Sequence, residues 1–220
     1  MTRSPIPLFL LMLVCWWSLA NADEFSELRA AAKSGDAVAQ YNLGSFYGNK
    51  GRKGKGKVRD DESAVLWYTK AAQQGLAEAQ FDLGRMYVIG QGITRDIELG
   101  VSWQLKAAEQ GLATAQFAVG TRYYLGSGLA KDHQQAFALY LKAAEQGLVG
   151  AQNQLGGMHF RGEGVPEDNV QAHKWFNIAA TNNDKIAERY ILFLEEIMDS
   201  EQIEEAEELA KEWLAEHSPD

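Results

Sequence analysis

The stretch KAAEQGLATAQ, residues 106–116, returns thirty-six residues later as KAAEQGLVGAQ, residues 142–152, with nine of eleven letters unchanged. Chemistry at an active site needs its motif once. A phrase that recurs at a fixed period marks a structural unit that stacks on copies of itself. Ala-Gln pairs stand at 39–40, 79–80, 115–116 and 151–152. Around them Leu43, Leu83, Val119 and Leu155 precede Gly44, Gly84, Gly120 and Gly156, and then come Tyr47, Tyr87, Tyr123 and His159. Three copies continue with a glycine pair, 90/92, 126/128 and 162/164. All four then reach an acid: Asp60, Asp96, Asp132 and Asp168.

Each position has a physical reason. Ala39, Leu43 and Tyr47 are spaced four apart and line one face of a first helix. The glycine after Leu lets a neighbouring helix approach, and the glycine pair supplies positive φ for a reversal. The Asp caps a second helix, where its oxygens meet free N–H groups at the positive end of the dipole. Gln135 and Gln171, three residues past their Asp, predict a reciprocal capping box. Positions four, seven and eleven past the Asp form the second helix's apolar stripe, with Trp67, Trp103, Leu139 and Trp175 at the middle one. In E-Q-G-L the glycine takes the left-handed position that ends this helix. Helices of this length are marginal alone in water; stacked hairpins share one core, which is what the second phrase is for.

The spacing predicts a half-repeat helix over 23–34, four repeats over 35–74, 75–110, 111–146 and 147–183, and an acidic pair of capping helices over 184–220. In AATNND, 179–184, Asn183 replaces the left-handed glycine. The capping pair is expected to present a polar end against head-to-tail association.

The pattern running from Ala79-Gln80 through Leu83-Gly84, Tyr87, Gly90-Gln91-Gly92, Asp96 and Trp103 to Lys106-Ala107-Ala108-Glu109-Gln110-Gly111 resembles the Sel1-like repeat family. The resemblance covers about residues 35–183, and Asp199–Trp213 resembles the closing helix of bacterial members. It implies an all-α fold, an α/α superhelix of helix-turn-helix repeats, and a non-catalytic adaptor that gathers other proteins in a concave groove lined by first helices. Two other functions stay open beside it: an immunity-type protein that neutralises a toxin, and a β-lactam-binding hydrolase of the cysteine-rich Sel1 type. The second is disfavoured, because the only cysteine is Cys15 and no Ser-x-x-Lys is present. Lys33-Ser34-Gly35 reads as a helix end rather than part of a penicillin-recognising site.

Residues 1–22 have the layout of a secretory signal peptide: Arg3, the apolar run LFLLMLVCWWSL over 8–19, then Ala20-Asn21-Ala22. The run is too short for a comfortable bilayer span of about 20 residues. The mature protein is therefore expected outside the cytoplasm, periplasmic or secreted, with no transmembrane segment and, lacking cysteine, no disulfide.

The formal net charge is −9. From 184 to 220 thirteen acids face three bases, so the negative charge is concentrated there and nucleic acid is excluded as a partner. No histidine pair among 133, 159, 173 and 217 has metal-ligand spacing; His159 takes a Tyr position and reads as core, with Glu163 near enough to pair with it. No cofactor, metal or catalytic residue is expected. A loop over 48–59 carries six bases, Lys50, Arg52, Lys53, Lys55, Lys57 and Arg59. It reads either as a solvated insertion or as an arm for an anionic envelope surface. Within the first helices, the A, Q, L and G positions stay fixed while others vary. Asn42, Ser45, Asp82, Arg85, Thr121, Arg122 and Gln154 are accordingly the candidate partner-binding residues.

Overall fold

The computed structural model describes residues 25–49 and 60–217. The leader expected over 1–22 and the bases at 50, 52, 53, 55, 57 and 59 lie outside the described residues. Among the described residues there are eleven helices and no strand. They are α1 (25–34), α2 (Ala37–Asn49), α3 (Asp61–Gln73), α4 (Ala77–Ile89), α5 (Ile97–Glu109), α6 (Ala113–Leu125), α7 (His133–Glu145), α8 (Val149–Arg161), α9 (Asn169–Ala180), α10 (Lys185–Glu195) and α11 (Ser200–His217). Contacts divide the chain into two units, one ending at Arg95 and one beginning at Asp96.

The second helices begin where the sequence places them. Asp60 accepts from the Ser63 N–H, Asp96 from Leu99, Asp132 from Gln134 and Gln135, and Asp168 from Gln171. The reciprocal box is found elsewhere. Among the described residues neither Gln135 nor Gln171 returns a bond to its Asp, whereas Gln202 Oε1 accepts from the Asp199 N–H at 3.1 Å while Asp199 Oδ1 accepts from the Gln202 N–H at 2.9 Å. Asn183 is the one described non-glycine residue with positive φ, 59°, as the substitution for glycine requires.

In unit 1, α1 closes over the first repeat: Ala32, Ala39 and Leu43 form a buried cluster backed by Phe25, Leu28, Tyr47 and Trp67. The glycine after Leu permits the hairpin. A Cβ at Gly44 would stand 2.7 Å from the Tyr68 ring. Lys33-Ser34-Gly35 is a helix end, with Ser34 Oγ donating to the Ala31 carbonyl and Gly35 at φ 108°.

In unit 2 the same device recurs, Gly120 against Tyr140 at 3.0 Å and Gly156 against Phe176 at 2.9 Å. The aromatic that fills these three hairpins, Tyr68, Tyr140 or Phe176, lies eight residues past the Asp, one beyond the tryptophan row the sequence pattern singles out; the repeat capped by Asp96 has Gln104 there. Tyr140 and Phe176 are fully buried, while Trp103 is half-buried with Lys106 Nζ 4.4 Å over its ring. Trp175 is the member of that row that enters the core, meeting Trp213 of α11 edge-on. A second cluster joins Ala172, Phe176 and Ala179 of α9 to Ala187 and Leu194 of α10 and Ala206 of α11.

The second glycine of each pair has a packing role as well as a conformational one. A Cβ on Gly92 would fall 2.5 Å from the Asp61 backbone, and one on Gly164 2.5 Å from that of His133. The reversals after α4, α6 and α8 therefore rest on the start of the preceding repeat's second helix, at Asp61, Ile97 and His133.

Candidate protein-binding face of the first helices

The repeated Gln, whose role the sequence pattern leaves open, is a buried staple. Gln40, Gln80, Gln116 and Gln152 donate through Nε2 to the carbonyls of Ala32, Ala72, Ala108 and Ala144, at 3.1, 3.2, 3.4 and 3.4 Å. Each bond ties a first helix to the end of the helix before it and satisfies a carbonyl that a helix C-terminus leaves open. Gln74 and Gln146 donate in turn to Gln40 and Gln116 Oε1, at 2.7 and 2.8 Å. With Ala, Gln, Leu and Gly of the first helix all turned inward, one strip of each first helix remains outward.

That strip repeats every four, then three residues. In unit 1 it carries Val38, Asn42 and Ser45 on α2, and Glu78, Asp82, Arg85 and Ile89 on α4. Tyr41 Oη donates to Asp82 Oδ2 at 3.2 Å across the two helices, and Arg85 Nε lies 3.4 Å from Asp82 Oδ1. Burial and the Asp82 charge hold the Tyr41 phenol far above its usual range, so it stays a neutral donor. Asn42 and Arg85 are exposed; Ser45 and Asp82 are partly covered.

In unit 2 the strip carries Thr114, Ala118, Thr121 and Leu125 on α6, and Gly150, Gln154 and Arg161 on α8, where Gly157 at the same register is buried. Two of the candidates are engaged inside the fold. Thr121 Oγ1 donates to the Phe117 carbonyl and accepts from Tyr140 Oη at 3.1 Å. Arg122 donates to Gln104 Oε1 at 2.7 Å and to the Ser127 carbonyl at 3.1 Å; burial lowers its pKa from the usual arginine value. The row containing Phe46, Met86, Arg122 and Met158 is not uniformly outward: Met86 and Met158 are buried, while Phe46 is exposed. Gln154 remains partly open. Glu163 does not pair with His159. It accepts from Arg161 and from Tyr124 Oη, both at 2.7 Å, and those partners hold its pKa down. His159 packs edge-on against Phe137 instead.

The fifth first helix, α10, keeps the register thirty-six residues on from α8: Ile186, Tyr190 and Phe193, with Ile197 in the turn just after the helix, occupy the outward strip. They are exposed by 59, 36, 45 and 53 %. Beside the exposed Lys185, Arg189 and Glu195, α10 thus also presents an apolar strip.

Among the described residues no group of three His, Cys, Asp or Glu could hold a metal, and no helix is long and apolar enough to cross a membrane. A search of curated proteins found no match. Among solved structures, the chain is similar to a protective antigen present in uropathogenic Escherichia coli strains that displays an SLR fold, at 36 % identity and a TM-score of 0.77, over 87 % of this chain and 40 % of that one. It is likewise similar to a Sel1 repeat protein from Oxalobacter formigenes, at 36 % identity and a TM-score of 0.69, over 76 % of this chain and 48 % of the other. The chain thus spans less than half the length of either. The Sel1 repeat model matches residues 37–76, 77–112, 113–148 and 149–184, spans that begin two residues after those read from the sequence period. The fold is a solenoid of helix-turn-helix repeats, of a type that generally mediates contacts between proteins, and the chain belongs to the Sel1 repeat family.

Proposed function

We propose that this protein is an exported, non-catalytic adaptor of a bacterial cell envelope that holds another protein against the outward strips of its first helices. One observation carries the reading: the inward residues of those helices are held constant by packing, while the outward ones change chemistry from copy to copy. In unit 1 they offer the amide of Asn42 and the Asp82–Arg85 pair; in unit 2 they offer Ala118, Gln154 and the Arg161–Glu163 pair. A fixed scaffold with variable outward positions is what selective recognition on a repeat protein needs. The six bases read from the sequence over 48–59 would add a salt-sensitive attraction to an anionic envelope surface.

The test is site-specific photo-crosslinking in the native envelope. A benzoylphenylalanine at Asn42, Arg85 or Gln154 is expected to capture one defined protein, and the same probe at Leu66 or Ser102 on second helices is not. Adding Asn42→Arg and Arg85→Glu should remove capture while circular dichroism and melting stay unchanged. Equal capture from both helix classes, or capture indifferent to these charges, would refute the reading. Mass spectrometry of the exported chain checks removal of residues 1–22.

A further inference from the structure

The outward strip of α10 is only partly covered within unit 2, and its pattern is that of a surface made to meet itself. Ile186, Tyr190, Phe193 and Ile197 are spaced four, three and four, so the strip reads the same in both directions. Tyr190 lies flat on Phe176, centroids 4.7 Å apart, and Phe193 stands edge-on to Phe160 at 5.7 Å. The two exposed rings are therefore held in place by rings beneath them, and lose little rotamer freedom on being covered. Ile186, Arg189, Tyr190 and Phe193 also line a cleft.

The charges beside the strip are arranged to suit. Arg189 and Glu196 are seven residues apart, two helical turns along the same flank. Both are exposed, and neither forms an ion pair among the described residues. Glu196 keeps helical backbone angles at the C-terminal boundary, φ −72° and ψ −23°. Lys185, by contrast, is taken up by Glu188 at 2.7 Å. In an antiparallel pair of identical helices, a given flank of one meets the same flank of the other, read backwards. Ile186 then stands opposite Ile197 of the second copy and Tyr190 opposite Phe193. Arg189 falls beside Glu196, twice over by symmetry.

The inner repeats differ along this flank. At the register of Arg189, α6 carries Phe117, which reaches Gly150, and α8 carries Asn153; at that of Glu196, α8 carries Phe160, which reaches Phe193. At the α10 register these two positions hold one cation and one anion. A polar stop would need no apolar strip and no opposed charges.

We infer that the α10 face is a homodimer interface, an antiparallel α10–α10 contact about a two-fold axis, with the apolar strip at its centre and two Arg189–Glu196 pairs at its rim. One helix pair buries less than the roughly 800 Å² per partner of a standard interface, so the dimer is weak and depends on concentration.

Sedimentation velocity and light scattering on the purified full gene product, with its N-terminus fixed by mass spectrometry, decide the matter. The expected result is a reversible monomer–dimer equilibrium. Arg189→Glu and Glu196→Arg each place like charges together twice and should weaken association by at least about tenfold; the double exchange should restore it to within about threefold. Restoration distinguishes pairing across copies from any effect on the fold of one copy. A single monomeric species at every concentration, or a dimer indifferent to both reversals, overturns the inference. So does self-association confined to material retaining residues 1–22, which would make that apolar segment the cause.

Discussion

Helices α8 and α10 occupy the same register in successive hairpins, yet they treat one position in opposite ways. In α8 the residue after Leu155 is Gly156, where a Cβ would press 2.9 Å from the buried Phe176 ring. In α10 the residue after Ile191 is Leu192, which is 63 % exposed. The difference lies in the second helix of each hairpin. Eight residues past its capping Asp, α9 has Phe176; α11, capped by Asp199, has Glu207 there, exposed. A ring driven between two helices demands glycine opposite it, and a solvated carboxylate demands nothing. In the hairpins filled by Tyr68, Tyr140 and Phe176 the glycine answers the aromatic; Gly84 persists where the residue eight past Asp96 is Gln104.

The sharpest way to break this contrast is to give α8 what α10 has. Gly156→Leu should destabilise the protein by about 3 kcal/mol, since a close-packed site cannot accept the added volume without displacing Phe176. Leu192→Ala, the matching change in α10, should stay within about 0.5 kcal/mol, as surface substitutions do. Urea unfolding of both variants measures this, and comparable losses would remove the proposed dependence on Phe176.

A smaller effect comes from the seam between α9 and α10. His173 is fully buried. Asn177 Nδ2 lies 2.8 Å from its Nδ1 and donates to it, which leaves Nε2 to carry the proton toward Glu195 at 3.7 Å. Burial lowers its pKa below the usual 6.5, against the opposing pull of Glu195 on α10 and Glu207 on α11. The neutral form is thus the native one. His173 costs no stability above pH 6.5, and stability falls as the pH drops below that value, because the unfolded state takes up the proton first. His159 is shifted the same way by its own burial. The melting temperature should fall between neutral and mildly acidic pH, less in His173→Gln than in the wild type and more in Glu195→Gln. An acid dependence identical in all three would exclude His173 as its source.

The smallest expected change sharpens the comparison from another side. Gln116 is held through both ends, donating to Ala108 and accepting from Gln146. Gln152 donates to Ala144, but its Oε1 is buried with no hydrogen-bond partner among the described residues. Asn182 stands where Gln146 stood, one methylene shorter. Asn182→Gln should supply the missing donor and raise stability by about 1 kcal/mol, the typical worth of one hydrogen bond. A thermal melt tests it; a neutral result would mean the turn after α9 directs the new side chain elsewhere.

Much of the fold was legible because its causes are local and repeated. Asp60, Asp96, Asp132 and Asp168 cap helices from within one turn, and positive φ at the glycines and Asn183 follows from steric freedom at single residues. The Gln staple was not legible, because a carbonyl eight residues upstream is an acceptor only once the hairpin has closed. Nor was the engagement of Thr121 and Arg122, whose partners Tyr140 and Gln104 lie on neighbouring helices. The six bases of the loop and the leader at 1–22 remain matters of sequence alone.

What the chain determined by itself was periodicity: four copies of one hairpin, where each helix starts and ends, and which strip of each must turn inward. Those follow from spacing, because helical pitch converts residue intervals directly into faces. Only the tertiary structure decided what each inward strip meets and what each outward strip lacks. Whether Tyr190 and Phe193 are core or surface depends on how closely a neighbouring helix packs over them, and that is a property of the assembled unit, absent from any one helix.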